Sequence, residues 1–254
     1  MPPRAIYLLL IRLLLGYVFA SSGLCKLTGG QFGQLIGPPT PEMVPGLGPI
    51  WGFLAAAQVA AGALVLSGRW ALLGLVALVP LNAGILAFTL ANDWNGTPFV
   101  NGLLLGLNLL ALADEWPSLR FFLVPDGPIH PLAPRVVRLF PGRLLPTGVL
   151  LGLGGAAGAA LSGGPFWLVV TLGACGLAAA WAHALGGLGL GWLERAVIGL
   201  TGLAVLALTL AGTLDRRLVI VAMYGGVLAG TVGALALAVA WAIRRRGYAT
   251  QPSQ

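Results

Sequence analysis

The sequence predicts an all-α, polytopic transmembrane helical bundle of about eight helices arranged as two four-helix halves. Three observations predict it. Charged residues make up 8% of the 254 positions and hydrophobic ones 58%, with mean hydropathy +0.93, whereas soluble domains carry roughly 25% charged residues. Apolar runs repeatedly reach the ~20 residues that cross a ~30 Å hydrocarbon layer. Basic residues gather between those runs, with Arg12 the exception. In lipid every backbone N–H and C=O must be paired inside its own segment, which selects helices over a barrel of alternating ~10-residue strands.

The runs lie at about 6–25, 49–67, 70–91, 98–113, 145–163, 165–186, 192–213 and 217–243. The first resembles a secretory signal, with Arg4 ahead of an apolar stretch and Ala20, Ser21 and Ser22 behind it, but Arg12 within the run favours a retained helix. Eight spans place both termini on one side. With the N-terminus in the cytoplasm, inner segments carry Arg4, Arg69, Arg120, Arg135, Arg138, Arg143, Arg195, Arg244, Arg245 and Arg246, and outer ones only Lys26, Arg216 and Arg217. That bias satisfies the positive-inside rule of an inner (plasma) membrane protein. The net charge of +7 has the same origin. It is a topology signal, with no accompanying nucleic-acid motif.

The chain divides into a four-helix bundle over 1–124, a cytoplasmic proline-rich linker over 125–144, and a second four-helix region over 145–254 with a basic tail. Pro117 already opens the proline-rich stretch, which continues through Pro125, Pro128, Pro131, Pro134 and Pro141. Residues 28–48 form a Gly/Pro-rich loop whose Phe32, Leu35, Ile36, Met43 and Val44 are expected to fold over the outer mouth of the bundle. The small residues of 152–160 invite close docking against the polar half or a second copy, which would make a homo-oligomer.

Polar groups within the membrane are costly, so each is a site hypothesis. On the first helix Arg12, Gly16, Phe19, Gly23 and Lys26 recur at spacings of four, three, four and three and share one face. Arg12 and Lys26 then stand ~21 Å apart along the axis, toward opposite surfaces. On the fourth helix Asn101, Asn108 and Glu115 repeat every seven residues, while the second helix offers Gln58 and the third Asn82. Converging, these faces would make a polar centre fit for a headgroup, a quinone ring or an ion. Lys26 would lie near Asp93 at its outer end and Arg12 near Asp114 or Glu115 at its inner end. The competing reading gives the amides a packing role worth under ~1 kcal/mol each and lets the cations snorkel to the headgroups. Cys25 and Cys175 stand alone, without a CxxC pair or a metal-ligand spacing. His130 in the linker and His183 in the run at 165–186 are poorly placed to clamp one haem.

The stretch Arg12-Leu13-Leu14-Leu15-Gly16-Tyr17-Val18-Phe19, followed by Ser22-Gly23-Leu24-Cys25-Lys26-Leu27, resembles the opening helix of the DoxX-like membrane proteins. Val79-Pro80-Leu81-Asn82 through Ala87-Phe88, Gly96-Thr97-Pro98, and Ala113-Asp114-Glu115-Trp116 with Arg120-Phe121-Phe122 are similar to the third and fourth helices of that family. The resemblance covers about residues 5–124. It implies a four-helix bundle tied to membrane redox complexes, some of them quinone-linked, with a redox protein as partner. Gln58 departs from the family pattern, which carries an acidic residue in that part of the second helix. The expectation that follows is a membrane subunit or accessory of a redox system in a bacterial inner membrane, with Arg12 and Lys26 orienting the bound group. A small-molecule transporter and a scaffold without catalytic activity stay open beside it.

Overall fold

The computed structural model describes residues 3–33, 48–94, 96–123, 143–187, 190–210 and 233. All regular structure among them is helical: α1 (Pro3–Leu27), α2 (Gly48–Leu66), α3 (Ala71–Ala91), α4 (Thr97–Asp114), α5 (Trp116–Leu123), α6 (Leu144–Leu161), α7 (Phe166–Leu185) and α8 (Trp192–Thr209). Six of these (α1, α3, α4, α6, α7 and α8) are long and apolar enough to cross a membrane, and α2 is a shorter apolar helix. Of the eight expected spans, the run at 217–243 lies outside the described residues except for Gly233, as does most of the linker over 125–144.

Residues 116–123, which follow the expected fourth span at 98–113, form a short helix of their own. Pro117 occupies the first turn, where its missing N–H costs no hydrogen bond. The Glu115 carbonyl accepts the N–H groups of Ser118 at 2.8 Å and Leu119 at 3.0 Å. Turn chemistry closes the other ends. Ser67 Oγ donates to Leu64 O at 2.6 Å and accepts the Trp70 N–H at 3.2 Å, tying α2 to α3. Gly96, at φ 77°, enters α4 in a left-handed conformation that a side chain would strain.

α1 is the central helix. Its membrane span is 78% buried, against 28–44% for the other five. One apolar core joins Leu13, Tyr17 and Leu24 of α1 to Val59 of α2, Leu153 and Ala156 of α6, Leu177 and Trp181 of α7 and Ile198 of α8. A second joins Leu15 and Phe19 of α1 to Val65 of α2, Leu75 and Leu78 of α3, and Leu104 of α4. The two sequence halves therefore share α1. Polar ties reinforce this, since Thr209 Oγ1 donates to the Tyr17 hydroxyl at 3.3 Å and the Gly33 N–H donates to Thr209 O at 3.1 Å. Phe32, in the described part of the outer loop, is fully buried, held where Thr28 Oγ1 accepts its N–H at 3.0 Å.

The outer surface is what lipid requires. Leu73, Val76, Leu103, Leu110, Leu151 and Leu203 are exposed on the outer faces of the helices. Trp167 and Trp192 open α7 and α8 as exposed rings, and Trp116 follows α4, the pattern of an interfacial aromatic belt. The small residues of 152–160 divide between two environments. Gly152, Leu153, Ala156 and Ala157 are buried in close contact with α7 and the shared core, while positions 154 and 158 have open space around them.

Candidate functional site

At the end of the bundle expected from the charge bias to face inward, the inner end, Arg12 Nη2 donates to Glu115 Oε1 at 2.8 Å, with the two residues 3% and 2% exposed. Glu115 caps the C-terminus of α4 and opens α5, where Ser118 Oγ donates to its second oxygen at 3.4 Å. Asp114, the alternative partner for Arg12 in the sequence, pairs with Arg4 instead, at 2.9 Å. Arg12 Nε is buried without an acceptor. The same side chain lines a cleft between α1, the end of α2 and α7, walled by Leu9, Leu66, Gly68, Ala184 and His183. The cleft is partly open, and its cavity volume of about 20 Å³ is room for about one water, which needs roughly 10–15 Å³.

In the middle of the bundle the amides part company. Asn108 is fully buried, and the orientation that satisfies both of its atoms has Nδ2 donating to Leu75 O at 3.2 Å and Oδ1 accepting the Val79 N–H at 3.3 Å. It thereby clips α4 to α3 beside Pro80, where a proline interrupts the helix ladder. Asn101 Nδ2 donates to Thr89 Oγ1 at 3.4 Å, closer to the outer end. Both have packing roles on this geometry. Asn82 differs: it is fully buried, and neither its Nδ2 nor its Oδ1 has a partner. An unpaired buried polar group costs about 1–3 kcal/mol, so Asn82→Leu is expected to raise the thermal stability of the purified protein. Asn108→Leu should lower it by about 1 kcal/mol. A melt in which Asn82→Leu destabilises as much as Asn108→Leu would show that the Asn82 amide is satisfied after all.

At the outer end Lys26 Nζ donates to Gln58 Oε1 at 2.8 Å and stands 5.7 Å from the centre of the Trp51 ring. The expected neighbour Asp93 is elsewhere. It sits exposed on the turn after α3, at φ 49°, and makes no ion pair among the described residues. The cause is the α1–α2 contact. A Cβ on Gly23 would lie 2.5 Å from Ala55 O and 2.6 Å from Val59 Cγ2, so α2 runs close along α1 and brings Gln58 to Lys26 first.

The proposed polar face thus resolves into an inner ion pair with a cleft, an isolated central amide and an outer cation cluster. Trp51 and Arg4 were missed as participants, and so was the cleft that His183 shares with Arg12. Trp51 precedes Gln58 by seven residues, the same-face spacing that identified the asparagines, so that signal was present.

Six helices among the described residues that are long and apolar enough to cross a membrane, with exposed leucines on their outer faces, define a multi-pass integral membrane protein. Compared with models of known protein families, with curated proteins and with solved structures, the chain matches none.

Proposed function

We propose that this chain is a bacterial inner-membrane protein of DoxX-like type that serves as a membrane subunit or accessory of a redox system, and that its inner cleft takes a carbonyl oxygen of a quinone. One observation carries the reading: Arg12 spends one N–H on Glu115 and keeps a buried Nε–H without an acceptor, at a cleft with mainly apolar walls. A quinone carbonyl supplies that acceptor on a flat apolar body. The cavity has room for about one water, so the ring would lie against the open side of the cleft with only its carbonyl reaching in toward Nε. The arginine distribution supports cytoplasmic termini, with the Arg12 end facing inward.

The test keeps the ion pair and removes the donor. Arg12→Lys retains a cation beside Glu115 and has no Nε–H, so quinone co-purifying with the gently extracted protein should fall by about tenfold, the loss of one charge-assisted hydrogen bond. Native mass spectrometry reads this directly. Wild-type protein that carries only bulk lipid would remove the quinone reading.

A transporter remains the second reading, because the cleft lies between α1 and α2 of the first half and α7 of the second. It requires substrate-dependent flux in proteoliposomes. A scaffold would show neither flux nor bound quinone.

A further inference from the structure

At the opposite end of α1, we infer that Lys26, Gln58 and Trp51 form a binding site for an oxyanion, the phosphodiester of an anionic lipid headgroup or a free phosphate. Lys26 has no carboxylate partner among the described residues, and its charge is met only by the Gln58 carbonyl and the face of the Trp51 ring. Both contacts are weaker partners for an ammonium than an anion is. Trp51 adds a second unspent donor. It is 7% exposed and its Nε1–H has no acceptor. Two donors of this kind, one charged and one neutral, at the end of a membrane helix call for one acceptor group bearing negative charge and more than one oxygen. Lys26 itself is only partly buried, so a ligand can reach it. Ile50 and Phe53, 53% and 78% exposed on α2 either side of Trp51, supply an apolar surface for acyl chains next to the donors.

This site is independent of the quinone reading, since it lies ~21 Å along α1 from Arg12. Its test uses the full chain in detergent micelles, with phosphatidylglycerol, phosphatidylcholine and inorganic phosphate as probes. Native mass spectrometry counts bound lipid, and the difference in tryptophan fluorescence between wild type and Trp51→Phe isolates Trp51 from the other seven tryptophans. Lys26→Met should weaken phosphatidylglycerol binding by at least about tenfold, and Trp51→Phe, which keeps a ring but loses the N–H, by severalfold. Gln58→Glu is the decisive variant. It preserves shape and gives Lys26 a permanent counter-ion, so the fold should be as stable as wild type while anion binding falls by about tenfold or more. Phosphatidylglycerol retained over phosphatidylcholine identifies a lipid ligand. A phosphate response lost in Lys26→Met without lipid selectivity identifies a soluble anion at the same site. Wild-type protein that binds no probe, or Gln58→Glu and Lys26→Met that bind as wild type does, overturns the proposal.

Discussion

Replacing Glu115 by alanine is expected to destabilise the protein by about 3–5 kcal/mol, because it strands the Arg12 guanidinium as an uncompensated charge in a nearly water-free position. The magnitude follows from what is lost. The pair itself contributes little net stability, since taking both ions out of water costs as much as their attraction returns. Breaking it by removing one partner leaves the desolvation cost without the attraction. The double replacement Arg12→Met with Glu115→Leu should therefore recover most of the loss, and a double-mutant cycle in mixed micelles would give a large coupling between the sites. Asp114→Ala is the contrast. Its partner Arg4 is 73% exposed at the side chain, so losing Asp114 strands no buried cation and should cost less than losing Glu115. If Glu115→Ala melts no lower than Asp114→Ala, Arg12 reaches water or another partner and the buried pair is not present in solution.

Gly62→Leu should be still more damaging, with little folded protein recovered from membranes. A Cβ at this position would sit 2.5 Å from Ala20 N and 2.6 Å from Gly16 O. Both are backbone atoms, so no side chain can swing aside and α1 must move off α2. Overpacking of well-packed sites costs about 1–3 kcal/mol even where side chains can adjust, and here the displaced helix is the one both apolar cores share. Gly106→Ala, on the lipid-facing side of α4 with nothing within 4 Å, should be neutral or gain up to about 1 kcal/mol from helix propensity. Equal yields and melts for the two variants would rule out the close α1–α2 contact.

The helices were legible because their signal is one-dimensional. A span of apolar residues declares itself by length alone, and the runs at 70–91, 98–113 and 165–186 lie within a residue or two of α3, α4 and α7. α5 was not, since eight residues with a proline at the second position give a pattern no different from a loop. For the polar residues, periodicity gave the shared face on α1 and the proximity of Arg12 to the Asp114–Glu115 pair. It could not give azimuth between helices. Whether Lys26 meets Asp93 or Gln58 depends on which helix lies against that face, and the decision was made by Gly23, whose lack of a side chain admits α2. The convergence of the asparagines failed for a related reason. A seven-residue repeat fixes one helix face but leaves the depth of each contact open, so Asn101 and Asn108 reach α3 at different levels, with Asn82 unpaired.

The 103 residues that separate Arg12 from Glu115 impose an order on biogenesis. α1 leaves the ribosome before α4, and its arginine does not meet its partner Glu115 until the end of α4 has been made. At roughly 5–20 residues per second, that wait lasts on the order of 5–20 s. An arginine deep in a lone helix costs about 2.5–3.5 kcal/mol on insertion scales, so through that interval α1 is poorly suited to free release into lipid. The insertion machinery, or a tilt that lets Arg12 reach the headgroups, has to shelter it. Completion of α4 then does two things at once: it neutralises the charge and fixes the helix against which α6, α7 and α8 pack.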